Sequence, residues 1–162
     1  MRKCRECGAA MQAGREPYRY DASGLDGVIL ENTLVYRCPN CGVFVVSIER
    51  MEELHKGIAH ALARKRERLI PKEIRFMRKW LGYSSAEFAG KMGVNPATVS
   101  RWESVSDPQT MGGTAERLLR LMVLQEKPVS SYPLDEMATT DPKPTRIRMR
   151  SDRTGWLATA ER

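Results

Sequence analysis

The sequence predicts an α+β fold in which a small N-terminal module of short strands precedes a helix and then an all-α domain. Three observations predict it. Cysteine occurs only as two CxxC pairs, Cys4 with Cys7 and Cys38 with Cys41. Between the pairs lies the β-prone run "VILENTLVY". From Pro71 onward the apolar residues follow helical spacing, and residues that start or stop helices punctuate them.

With 162 residues the chain has room for one ordinary domain or two small ones, so a segment of about 50 residues needs its own source of stability. The 27 Lys and Arg against 20 Asp and Glu give a net charge of +7 and a pI near 9.5. That balance suits a polyanionic partner without proving one. The start, "MRKCRECGAA", has no apolar run of the kind a secretory signal needs, and "VFVVSI" is too short to span a bilayer. A cytoplasmic protein without a membrane partner is therefore expected. In a reducing compartment four cysteines are read for metal binding before disulfides.

The elements follow in order. Residues 1–48 read as strands and turns around the cysteines, with six basic and five acidic residues. Residues 49–70 place Met51, Leu54, Ile58, Leu62 and Leu69 at helical spacing among charges, which predicts an amphipathic linker helix. Residues 71–132 predict four short helices. Pro71 suits a first helical position, and Ser84 with Glu87 forms an S-x-x-E capping box. Gly93 ends the second helix, Asn95 caps the third ahead of Pro96, and "TAERLLRLMVLQ" forms the fourth. Residues 133–162 turn to Thr, Pro, Asp and Arg, which predicts a basic, disordered or loosely attached tail. Its "KPTRIRMRSDR" either adds non-specific DNA affinity or is inert.

Two residues between thiolates let one tight turn present both sulfurs on the same side. Two such turns supply the four soft ligands that one structural Zn2+ prefers, and four cysteines leave no open position for catalysis. Cys4, Cys7, Cys38 and Cys41 are the expected ligands; iron or a redox dithiol are the alternatives. Closing the site would take residues 1–48 from a formal charge of +1 to about −1, which makes this module a poor phosphate binder and points it towards protein contacts or pure structure. His55 and His60, five apart, share no face as an i, i+4 metal pair would, and are expected at the surface.

Ser85 to Ser104 fits a helix-turn-helix. Ala89 sits where two helices cross, Gly93 at the turn, and Phe88, Met92, Val94, Val99 and Trp102 inside. In that geometry the second helix lies in the major groove of double-stranded DNA. Arg101 and Thr98 then face base edges, with Arg101 able to grip guanine, and Ala97 offers only a methyl group. Ser84, Ser85, Asn95 and Ser100 are placed to contact or orient on phosphates. Glu103 would repel phosphate, so an ion pair within the fold is expected, with Arg78 as partner. Arg117 and Arg120 either flank the DNA backbone or are solvated helix charges, and the second is the expectation.

"SSAEFAGKMGV" followed by "VSRWE" resembles the Xre/Cro-type helix-turn-helix. Joined to a four-cysteine N-terminal module of this spacing, it resembles the MqsA antitoxin family with its YgiT-type zinc finger, over about residues 1–125. The resemblance implies a repressor of its own operon that binds a palindromic operator as a homodimer through the C-terminal domain. It also implies a toxin partner, an mRNA-cleaving ribonuclease in the name-giving pair, neutralised through the zinc domain. Cys4, Cys7, Cys38 and Cys41 match the family's zinc ligands, and Arg101 its base-reading arginine. Ala97 stands where the type member reads with asparagine, so the operator is not inherited. "SVSD" replaces the glycine usual after the Trp-Glu pair. A solitary regulator with no toxin is the alternative. A dithiol redox enzyme is more distant, because no βαβ context, buried base or Gly-rich phosphate loop accompanies either CxxC; no enzymatic activity is expected.

Overall fold

The chain between the CxxC pairs runs out and back as strands β1 (Gln12–Arg19) and β2 (Ile29–Arg37), with a 3-10 turn at Asp21–Ser23, and β3 (Phe44–Ser47) returns beside β2. The computed structural model describes residues 2–125 and the backbone of Ile147–Asp152 and Gly155–Ala160. The three strands form an antiparallel sheet in the order β1-β2-β3. Arg37 pairs with both Gln12 and Phe44, so the end of the sheet sits beside the Cys38 turn. The register shifts between Glu16 and Tyr18, at Pro17, which has no N–H to give to the ladder.

Helix α1 (Met51–Arg64) is shorter than the helix expected over 49–70, and it is more than a linker. It starts only after Arg50, which takes a left-handed conformation (φ 51°). Lys65 beyond it is already extended, and the chain stays non-helical to Pro71. Ala59 and Ala63 are buried in the core of the helices that follow, because small side chains let α1 pack closely against them.

Those helices are α2 (Pro71–Trp80), α3 (Ser85–Met92), α4 (Pro96–Trp102) and α5 (Gly113–Gln125). Their shared core holds twelve buried side chains, among them Ile74, Met77, Phe88, Val99, Trp102, Leu119 and Val123. The local signals act as hydrogen bonds. Ser84 Oγ accepts the Glu87 N–H at 3.2 Å while the Ser84 N–H donates to Glu87 at 2.8 Å. Asn95 Oδ1 accepts the Ala97 N–H at 2.8 Å. Gly93 ends α3 at φ 63°, a conformation that a β-branched residue resists, and its neighbour Val94 donates back to Ala89 O at 3.0 Å.

Two expectations about surface charge are corrected. Arg120 is half-buried, not solvated: it hydrogen-bonds the carbonyl oxygens of Ala63, Lys65 and Glu67 and the carboxylate of Glu116. It thereby holds one carbonyl at the end of α1 and two on the segment leaving it, a partner set that no spacing within α5 could reveal. The histidines are half-buried as well. His55 Nε2 lies 2.9 Å from Tyr20 Oη, and its ring meets Tyr20 and Phe76; the His60 ring lies edge-on to Trp80. Together with the Lys72–Asp26 ion pair at 2.6 Å, the Tyr20–His55 contact ties the sheet module to α1 and α2.

The tail differs in part from the disorder expected over 133–162. Strands β4 (Ile147–Asp152) and β5 (Gly155–Ala160) pair antiparallel, from Ile147 opposite Ala160 to Asp152 opposite Gly155. The period-two alternation Ile147-Arg148-Met149-Arg150 is the signal that the overall composition obscured. The rest of that segment lies outside the described residues.

Candidate metal centre and nucleic-acid interface

The two CxxC turns are built alike. Cys4 N–H donates to Ala9 O and Cys38 N–H to Val43 O, each at 2.8 Å; Gly8 N–H donates to Cys4 O and Gly42 N–H to Cys38 O, each at 3.0 Å. Gly8 and Gly42 carry φ of 76° and 75°, which lets the chain leave each turn with its next amide aimed at a sulfur. The amide of Ala9 meets Cys7, and that of Val43 meets Cys41. The sheet holds the turns face to face. The Cys4–Cys41, Cys7–Cys38 and Cys7–Cys41 sulfurs are 3.5, 3.4 and 3.6 Å apart, and all four lie within 4.8 Å of one another.

Tetrahedral zinc with bonds of about 2.3 Å spaces its sulfurs by about 3.8 Å, so this cluster fits one such ion. Its electrostatics point the same way. The Ala9 amide, helped by Asn40 and Cys38, holds the Cys7 thiol down at about 6. The Val43 amide likewise pulls on Cys41, but the neighbouring Cys38 and Cys4 sulfurs push it up to about 12. Four sulfurs this close resist ionising together unless a cation sits among them. The four predicted ligands thus form one possible metal site, closed to a fifth protein ligand among the described residues.

The second site is on α3 and α4. Ala89, buried to 1%, allows the helices to cross closely, and Val99 and Trp102 fix α4 to the core. Beneath the C-terminal end of α4, Arg78 grips Glu103 with two hydrogen bonds, Nε to Oε1 at 2.6 Å and Nη2 to Oε2 at 2.9 Å. Arg78 also donates to Tyr83 O, and the Glu103 bonds raise its pKa further above its ordinary value. Arg75, which sequence reasoning missed, adds a longer contact to Glu103 at 3.3 Å. The acid is therefore neutralised inside the fold.

That anchoring leaves the opposite face of α4 outward. Ala97, Ser100 and Arg101 are exposed and Thr98 is half-exposed. Arg101 shows no side-chain partner among the described residues, while its carbonyl accepts from Ser104 N–H and Gln109 N–H. Ser104 Oγ in turn accepts the Asp107 N–H at 3.0 Å, so "SVSD" makes its turn with a serine side chain in place of a glycine. Of the residues expected near phosphate, Ser84 and Asn95 use their oxygens as caps; the Ser84 hydroxyl is also hydrogen-bonded to the Glu87 carboxylate, and the Asn95 amide nitrogen is left for donation. Ser85 is half-buried and Ser100 is exposed.

Residues 74–109 match the family model described as helix-turn-helix. The match begins in α2 and ends in the loop after α4, so it spans the Arg78–Glu103 pair as well as the crossing helices. It supports a DNA-binding regulator whose helix-turn-helix presents Ala97, Thr98 and Arg101 outward. Comparison with curated proteins and with solved structures returns no match. Among the described residues no helix is long and apolar enough to cross a membrane.

Proposed function

We propose that this chain is a sequence-specific transcriptional repressor and the antitoxin of a type II toxin-antitoxin system. It works in the cytoplasm as a homodimer joined through its C-terminal domain and represses its own operon. Its helix-turn-helix reads a palindromic operator, and its N-terminal module, held by one structural Zn2+ on Cys4, Cys7, Cys38 and Cys41, neutralises a toxin of the mRNA-cleaving ribonuclease kind. The carrying observation is the outward face of α4: Arg101 is exposed and has no side-chain partner among the described residues, while Val99 and Trp102 behind it are locked in the core.

In this reading α4 enters the major groove with its N-terminal end at the bases. Arg101 donates two hydrogen bonds to guanine O6 and N7, and Thr98 and Ala97 line the adjoining base edges. Ser84, Ser85, Asn95 and Ser100 set the register on phosphates. The zinc supplies no chemistry beyond cross-linking the module; the chain's own amides and turns present the surface that a toxin would meet.

Selection from random duplexes tests the reading of DNA. Two-fold-related recognition helices predict enrichment of inverted half-sites about 34 Å apart. Enrichment of isolated half-sites only, or none, would count against it. An affinity pull-down from the native host, with nuclease present, tests the antitoxin reading. A stoichiometric small partner that the zinc module alone retains supports it; recovery of the protein by itself favours a solitary regulator.

A further inference from the structure

A cleft of about 460 Å³ lies where the sheet module meets the helices. One wall is the Ala22–Gly24 turn, the floor includes His55 and Phe76, and the other wall is α2 with the chain just after α4. Such a volume is in the range that holds a small organic molecule.

Its chemistry is uneven. Lys72, Arg75 and Lys79 line it along one face of α2, at i, i+3 and i+7. Lys72 is paired with Asp26 at 2.6 Å. Glu103, the one acid in the lining, is already bound by Arg78 and is buried to 4%. Arg75 reaches its carboxylate and its carbonyl oxygen at 3.3 Å each with its own side chain 55% exposed, and Lys79 is exposed and forms no ion pair among the described residues. The cleft therefore has cationic charge to spare. Between these cations stand the half-buried rings of Phe76 and Trp80, one position from Arg75 and Lys79 respectively. Rings beside cations match a ligand that is both planar and anionic.

We propose that this cleft binds a small organic anion with a planar ring, its charge held by Lys79 and Arg75 and its ring packed against Phe76 and Trp80. The walls come from the metal module, α1, α2 and the end of the recognition helix. Occupancy would therefore favour one arrangement of these parts, and if the chain reads DNA as proposed, the ligand would shift operator affinity through that coupling.

The test uses the full zinc-loaded chain without DNA, so its outcome is independent of operator recognition. Isothermal titration with AMP and with benzoate separates a phosphate-bearing from a carboxylate-bearing ring, while inorganic phosphate and adenosine each supply half of the ligand. Saturable binding of AMP or benzoate at one per chain is expected. Phosphate and adenosine should bind at least about tenfold more weakly, and Lys79→Gln should cost about tenfold in affinity at unchanged circular dichroism. Absence of saturation for both ringed anions overturns the proposal. So does a Lys79→Gln chain that binds them as well as the parent.

Discussion

The sheet module and the helical domain are stabilised in opposite ways. Around its cysteines the module's buried cluster is Cys4, Met11 and Cys38, with Ala9, Tyr36 and Val45 partly covered; Tyr20, Leu25 and Val35 are buried elsewhere in the module, and much of β1 faces solvent. The helices and the turns between them bury twelve side chains around Phe88, Met77 and Leu119, and the helices close their ends with side-chain caps and buried ion pairs. A region with so little apolar core depends on a cross-link, whereas the helical region can stand on packing. The difference teaches where a perturbation should act: at the cysteines it should strike one half of the molecule, and at the helical core the other.

Metal removal should have the largest effect. Structural zinc in small modules is worth about 10–16 kcal/mol at neutral pH, so chelation should abolish amide protection across β1–β3 and leave the helices protected. Hydrogen exchange read residue by residue checks this; retained protection in the strands would show that the sheet stands alone. Phe88→Ala probes the other half. It should cost about 3–5 kcal/mol in thermal or denaturant unfolding of the helices while the metal content of the cysteine cluster stays unchanged.

Arg78→Ala leaves Glu103 buried with only the long Arg75 contact and should cost about 3–5 kcal/mol. Replacing both partners, Arg78→Met with Glu103→Leu, should recover much of that loss, which a double-mutant cycle would measure.

A smaller effect comes from Glu116, which receives Arg68, Arg120 and the Leu69 N–H. Burial alone would push its pKa up, but the Arg120 and Arg68 hydrogen bonds outweigh it and hold the carboxyl below 4.5. The folded value is thus the lower one. The stabilisation is present above pH 4.5 and is lost as pH falls through the folded value. Unfolding free energy should drop through that acid window in the parent, and Glu116→Gln should lose stability at neutral pH and show a flatter acid limb.

What was legible in the sequence was local. The CxxC turns, the Ser84–Glu87 box, the Asn95 cap and the Gly93 stop each complete their hydrogen bonds within a few residues, so spacing alone describes them. The Arg78–Glu103 pair spans 25 residues and was still readable, because an acid at the end of a helix expected to face DNA needs a neutralising partner. Arg120 was not readable: its carbonyl partners lie 53 to 57 residues away on the segment leaving α1. The same holds for His55, whose Tyr20 contact exists only because the sheet module docks on α1 and α2. The α1 helix looked like a linker because its buried residues, Ala59 and Ala63, are too small to register in an apolar stripe.

The most direct measurement compares Arg101→Ala with the parent for binding to the selected operator, to the same duplex with the contacted guanine replaced, and for thermal stability. An exposed side chain with no partner among the described residues should change stability by less than about 0.5 kcal/mol, while discrimination between the two duplexes falls by about 1–3 kcal/mol. Unchanged discrimination, or a large loss of stability, would contradict the assignment of α4 as the helix that reads DNA.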